Sequence, residues 1–244
     1  MRLRGLALVW VAAVLVGVGA TTAAATTPQS EPSVVAYQRA LDTAGFYRGE
    51  IDGLAGPQTR AAVLAFQKAA GLDTDGIWRP IYVRYLRQYQ PELPTRRGEP
   101  NRLEIDLTNQ VGYLVGENQV SAVFGVSSGS GKIYQHPNGY KARANTPRGD
   151  FTLYRHYEGL RHSALGFLYR PWYFRGGFAL HGSSSVPAYP ASHGCIRVTN
   201  WDIDWLSARL FIGMPIHVWT GPKITRATLH YETPDWPAPG LRPT

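Results

Sequence analysis

The chain has 244 residues, 44% of them hydrophobic, with 25 Lys and Arg against 17 Asp and Glu for a net charge of +8. That is room for one or two domains with cores of their own, and the hydrophobic fraction excludes a mainly disordered or fibrous chain. The excess charge suits an anionic partner or envelope, but the Arg residues are scattered and no nucleic-acid-binding motif is present, so nucleic acid is set aside as a partner.

Arg2 and Arg4 precede an apolar stretch over residues 6–20, and Ala23, Ala24 and Ala25 follow it. A basic start, a short apolar run and an Ala-x-Ala site predict a secretory signal at residues 1–25, cleaved after Ala25, with no membrane-spanning segment left behind. Residues 5–25 nearly reach bilayer length, so an uncleaved anchor is the alternative. No cysteine follows the apolar run, which excludes a bacterial lipoprotein. Residues 26–33 read as a linker. An exported chain whose only cysteine is Cys195 has no internal disulfide to form, so that thiol is either buried and inert or reactive.

Residues 34–90 predict a small three-helix module. A first helical pattern with Val35 and Leu41 breaks at Ala44-Gly45, just before Phe46, and residues 47–57 are turn-rich. Ala62, Val63 and Phe66 recur at helical spacing in a second helix over residues 59–69, opened by Pro57-Gln58 and ended by Gly71. A third helix is expected over residues 80–90. Tyr37-Gln38, Gly45-Phe46-Tyr47, Ile51-Asp52-Gly53, Phe66-Gln67 and Asp75-Gly76-Ile77, in that order, resemble the peptidoglycan-binding module. The pattern departs at Trp78, Arg79 and Pro80, where that module usually continues to a Gly and a Thr. The resemblance implies contact with the glycan polymer. A second contact with a polymer-attached substrate raises effective concentration, so the module is expected to tether; helices that only prop up the next domain are the alternative.

Residues 91–100, with Pro91, Pro94 and Pro100, form a stiff linker. The texture then changes to short strand candidates at residues 103–107, 110–115, 118–126, 151–154, 178–181, 195–198 and 215–219. One helix is expected at residues 201–210, with Asn200 as its N-cap. The fold class is therefore α+β and multidomain. The three-helix module precedes a mainly β domain, a sandwich or open barrel, over residues 101–220, and a Pro-rich tail follows at residues 221–244.

The chemistry concentrates between Leu180 and Val198, where Cys195 stands two residues after His193 and fourteen after His181. A neighbouring base favours a thiolate, and residues two apart on a strand share a face, which would give His193 and Cys195 one environment. Gly194 lets the backbone bend so that N–H groups converge on a developing oxyanion. A His181, His193 and Cys195 zinc site is the competitor, but no carboxylate or second cysteine stands at a usual ligand spacing. Both histidines as ordinary turn residues is the bland alternative.

His181-Gly182 followed by Ser192-His193-Gly194-Cys195-Ile196-Arg197 resembles the signature of the L,D-transpeptidases. Val126-Ser127-Ser128-Gly129 and Thr146-Pro147-Arg148-Gly149-Asp150-Phe151 resemble that family's supporting elements. The resemblance implies a mostly β catalytic domain that exchanges acyl groups at a meso-diaminopimelate or L-lysine centre of peptidoglycan stems. It implies Cys195 as nucleophile, His181 as general base, His193 in support, backbone amides of His193, Gly194 and Cys195 at the oxyanion, and Ser192 ordering the turn. Arg197 stands where some members carry Asn, and is expected either in a structural salt bridge or on a substrate carboxylate. A thioester forms with release of D-Ala, no metal or organic cofactor is called for, carbapenems are the expected acylating inhibitors, and the location is the cell wall. An L,D-carboxypeptidase, a non-catalytic wall-binding protein and a zinc peptidase are the alternatives.

Overall fold

The computed structural model describes residues 32–91, 93 and 99–225. The expected signal at 1–25, most of the linkers at 26–33 and 91–100, and the tail beyond 225 lie outside the described residues.

The module consists of α1 (Pro32–Thr43), α2 (Pro57–Ala69) and α3 (Tyr82–Gln88), the last shorter at both ends than its expected span. Its first two helices stop in the same way. Gly45 and Gly71 take positive φ, and the amides of Phe46 and Leu72 turn back to the carbonyls of Leu41 and Gln67 at 2.8 and 2.9 Å. Each is a left-handed cap that only glycine adopts without strain. Two glutamines then fix the turns that follow. Buried Gln38 donates to Asp52 Oδ1, Leu54 O and Thr59 Oγ1 and accepts from the Gly53 amide at 2.8 Å. Gln67 repeats the arrangement, donating to Asp75 Oδ1 and Ile77 O and accepting from the Gly76 amide at 2.8 Å. The module is thus two copies of one device, a helix carrying a buried Gln that holds an Asp-Gly turn.

The second domain is built from β1 (Arg102–Asp106), β2 (Val111–Gly116), β3 (Gln119–Gly125), β4 (Ile133–Gln135), β5 (Lys141–Arg143) and β6 (Gly149–Thr152). It continues with β7 (Arg155–His156), β8 (Leu160–Ser163), β9 (Gly166–Arg175), β10 (Phe178–Ser183) and β11 (Ile196–Thr199). Helix α4 (Asn200–Ser207) and β12 (Pro215–Trp219) complete it. One sheet runs β3-β2-β1-β12-β6 and the other β11-β10-β9-β7, with β8 added on β9; β4 and β5 form a separate hairpin. The two sheets enclose one core, in which Leu103, Ile105, Phe124 and Ile216 of the first meet Trp172, Leu180, Ile196 and Val198 of the second. Of the two expected architectures this is the sandwich, and among the described residues neither sheet closes into a barrel.

Three expectations change. Strand β9, the longest, was not foreseen, because Pro171 lies within it. A proline is tolerated there because the strand bulges: Arg170 takes φ 48°, and pairing with β10 shifts between Leu180 and Gly182. The N-cap of α4 is Thr199, not Asn200. Its hydroxyl accepts from the Asp202 amide at 3.1 Å and donates to Asp202 Oδ2 at 2.7 Å, a reciprocal cap that the extended end of β11 sets one residue early. Third, β1 alternates apolar and polar as expected, but all five of its residues are buried.

The module covers the strands beside it. Val111, Tyr113 and Val123, on the outer face of β2 and β3, belong to the same apolar cluster as Leu41, Phe46 and Phe66 of the helices. The Val123 amide donates to Gly45 O at 2.9 Å, Arg48 pairs with Asp202 of α4, and Lys68 Nζ donates to Val126 O at 2.8 Å and Pro187 O at 3.2 Å. The helices are a buttress of the sandwich, whether or not they also tether.

Candidate active site

Strand alternation selects the face. In β10, Leu180 points into the core, so Ala179, His181 and Ser183 project from the outer face; in β11, Ile196 and Val198 point inward and Arg197 outward. The two strands are parallel and adjacent, with His181 opposite Arg197. Cys195 stands one residue before β11, next to Arg197, and packs against Leu168, Tyr173 and Ala179. His181, Cys195, Arg197 and His193 line one open cavity of about 470 Å³.

The loop that delivers Cys195 is pinned at nearly every residue. Ser192, buried, accepts from the Gly194 amide at 3.0 Å and donates to Cys195 O at 2.5 Å. Ser128 O receives the amides of Ala191 and Ser192, and Ser127 pairs with Arg197 through both backbone bonds, at 2.9 and 3.0 Å. Thr146 joins the two motifs, accepting from the Gly129 amide and donating to Gly194 O, both at 2.8 Å. Gly194 itself has φ +135°, and a Cβ there would lie 2.5 Å from the Phe178 ring and 2.9 Å from Asn145 O. Neither the conformation nor the space admits a side chain.

Burial sets the electrostatics. His181 is 3% exposed, and its Nδ1 lies 2.8 Å from Gly182 O. A carbonyl only accepts, so Nδ1 carries the proton and Nε2 is left as the acceptor. Burial lowers the His181 pKa from 6.5 to about 4, with Arg197 assisting and the Gly182 hydrogen bond opposing, so the ring is neutral at pH 7. Burial pushes the Cys195 thiol up, against a backbone hydrogen bond from Ala179 and the charge of Arg197. The cavity thus holds a thiol and a neutral imidazole, not a thiolate and an imidazolium.

The remaining expected residues fall in the same place with different detail. His193 lies in the turn, outside the strand, so alternation does not align it with Cys195; its exposed ring meets Tyr134 edge-on at 4.6 Å, against the β4–β5 hairpin. The Gly194 amide is already given to Ser192 Oγ. Arg197 makes no ion pair among the described residues. No three His, Cys, Asp or Glu side chains among the described residues stand close enough to hold a metal ion, so His181, His193 and Cys195 do not form the zinc set weighed above. Sequence reasoning missed Tyr134, Leu168 and Tyr173, which wall the cavity, because their strands carry no chemical motif; the aromatic density of residues 167–174 was the available signal.

The geometry can be set beside known proteins. Residues 100–218 match the YkuD family, the L,D-transpeptidase catalytic domain, and residues 30–80 match a peptidoglycan binding domain. A crystal structure of an L,D-transpeptidase from Xylanimonas cellulosilytica DSM 15894 is 42% identical, with a TM-score of 0.73 over 79% of this chain and 97% of that one. An L,D-transpeptidase from Stackebrandtia nassauensis is 19% identical, with a TM-score of 0.47 over 81% of this chain and 96% of that one, a likeness too low to add anything. No curated protein matches. The chain belongs to the L,D-transpeptidase family. Its two domains imply an extracytoplasmic location, and among the described residues no helix is long and apolar enough to cross a membrane.

Proposed function

We propose that this transpeptidase forms peptidoglycan cross-links through a thioester on Cys195, releasing D-Ala from tetrapeptide stems. One observation carries the reading: adjacent strands bring the thiol and a buried imidazole, its tautomer fixed by Gly182 O, to the same cavity. His181 Nε2 takes the thiol proton as Sγ attacks the carbonyl of the stem's third residue, and returns it to the D-Ala amine as the C–N bond breaks. An amine of a second stem then attacks the thioester and restores the thiol; water in its place gives L,D-carboxypeptidase activity. Amides of the loop hold the oxyanion, a role worth about a hundredfold or more in rate. Because Gly194 N–H is engaged, those of His193 and Cys195 are the donors we assign. Ser192 and Gly194 keep the loop in shape, and the His193 ring supports it through Tyr134. We further propose that residues 1–25 are a cleaved secretory signal and that the module contacts glycan.

Intact-mass spectrometry with defined tetrapeptide stems or a carbapenem tests the reading. Wild type gains an acyl adduct on Cys195, Cys195→Ser gains none, and His181→Ala loses most acylation at pH 7. Some activity returns to His181→Ala only above the ordinary thiol value of about 8.5, because burial holds this thiol high. Turnover by folded Cys195→Ser, or unchanged acylation in His181→Ala, would overturn it.

A further inference from the structure

The cavity that holds Cys195 is lined by Arg155, Arg161 and Arg197 and by no Asp or Glu. In Arg155 and Arg161, aromatic faces do the positioning that carboxylates usually do. The Arg155 guanidinium lies 4.3 Å from the Tyr173 ring centre and 5.5 Å from that of Tyr157; Arg161 lies 4.2 Å from the Tyr157 centre. Tyr157 is therefore shared by two guanidiniums, and among the described residues neither forms an ion pair. Tyr157 and Tyr173 also belong to the apolar cluster against which Cys195 packs. Tyr173, in the cluster that Cys195 packs against, thus carries the Arg155 guanidinium on its ring.

Two like charges on one ring repel, and stacking on an aromatic face leaves the in-plane N–H donors of each guanidinium free for an anion. We propose that Arg155 and Arg161 form a carboxylate-binding subsite that selects stem peptides with a free carboxylate flanking the scissile carbonyl over stems amidated at that group. The subsite rests on the reading of Cys195 as the acylated residue, since that residue fixes where the stem lies. Arg197, beside the thiol and opposite His181, belongs to the reacting centre; Arg155 and Arg161 lie further along the cavity and act on binding.

Calorimetric binding to the full chain carrying Cys195→Ala separates the two ideas, because it needs no chemistry. The probes are a tetrapeptide stem with every carboxylate free and the same peptide with each carboxylate amidated singly. One amidation weakens binding about tenfold, the value of a charge-assisted guanidinium contact. Arg155→Gln with Arg161→Gln weakens the free stem by the same factor and makes that amidation silent, whereas Arg155→Lys, which keeps charge without the planar fork, recovers only part. If no amidation weakens binding, or if the discrimination survives in the double variant, the subsite does not exist. Failure of acylation in the wild-type chain, with carboxylate discrimination intact, would overturn the thioester reading and leave the subsite standing.

Discussion

In the helical module each turn hangs on one side chain, whereas in the sandwich the loop before Cys195 is held by backbone and hydroxyl groups of several residues. Gln38 and Gln67 each bind an Asp carboxylate, a carbonyl and a Gly amide, so each turn depends on one buried amide group. The support of the loop before Cys195 is distributed over Ser127, Ser128, Thr146 and Ser192, through main-chain bonds and side-chain hydroxyls together. A short helical unit has few backbone groups to spare between its helices, because the helices consume them internally. Strand ends leave backbone groups free to bond a passing loop, and a loop held that way keeps Gly194 at its positive φ.

The comparison breaks most visibly if the module is removed. Deleting residues 32–91 strips cover from Val111, Tyr113 and Val123, each contributing about 2 kcal/mol or more by burial. The melting temperature should fall by roughly 10–20 °C, and turnover of small soluble stems should fall with it. A truncated chain that melts within a few degrees of the whole one, with two transitions in the whole chain, would restore the module as a mere tether. Gln38→Leu is a smaller break. It leaves the Gly53 amide without its acceptor and takes one donor each from Asp52 Oδ1 and the Leu54 carbonyl, which keeps only Thr59 Oγ1, for about 2–4 kcal/mol by denaturant unfolding. A loss below 1 kcal/mol would show the turn is held by something else.

Lys68→Met should do least at neutral pH, within about 2 kcal/mol. Orphaning the carbonyls of Val126 and Pro187 is offset by removing a buried ammonium. Its signature is the pH profile. Burial lowers the Lys68 pKa from 10.5 to about 8, so between those values the unfolded chain binds the extra proton and the folded chain does not. Wild-type stability should gain on that of the variant as pH rises from about 8 to about 10.5, and lose that gain as pH falls back through 8. Parallel profiles in chemical denaturation would mean that Lys68 is charged in the fold throughout.

The sequence carried the helices, their glycine stops and the chemical centre, because each is written locally: period, cap residue, and one cysteine among histidines. It did not carry β9, since a proline in a strand is permitted only by a bulge that two neighbouring strands impose. Nor did it show the repeated Gln device, whose partners lie many residues away and whose meaning depends on burial. The neutral His181 and the elevated Cys195 are products of tertiary packing alone: the same residues in an open loop would titrate near their ordinary values. Residue types and spacing by themselves determined which atoms are able to react. Only the stacking of two sheets, with an outer face walled by Tyr157 and Tyr173 and a helical buttress on the far side, decided their protonation, their common cavity and the arginines that share it, because desolvation and proximity arise between segments distant in sequence.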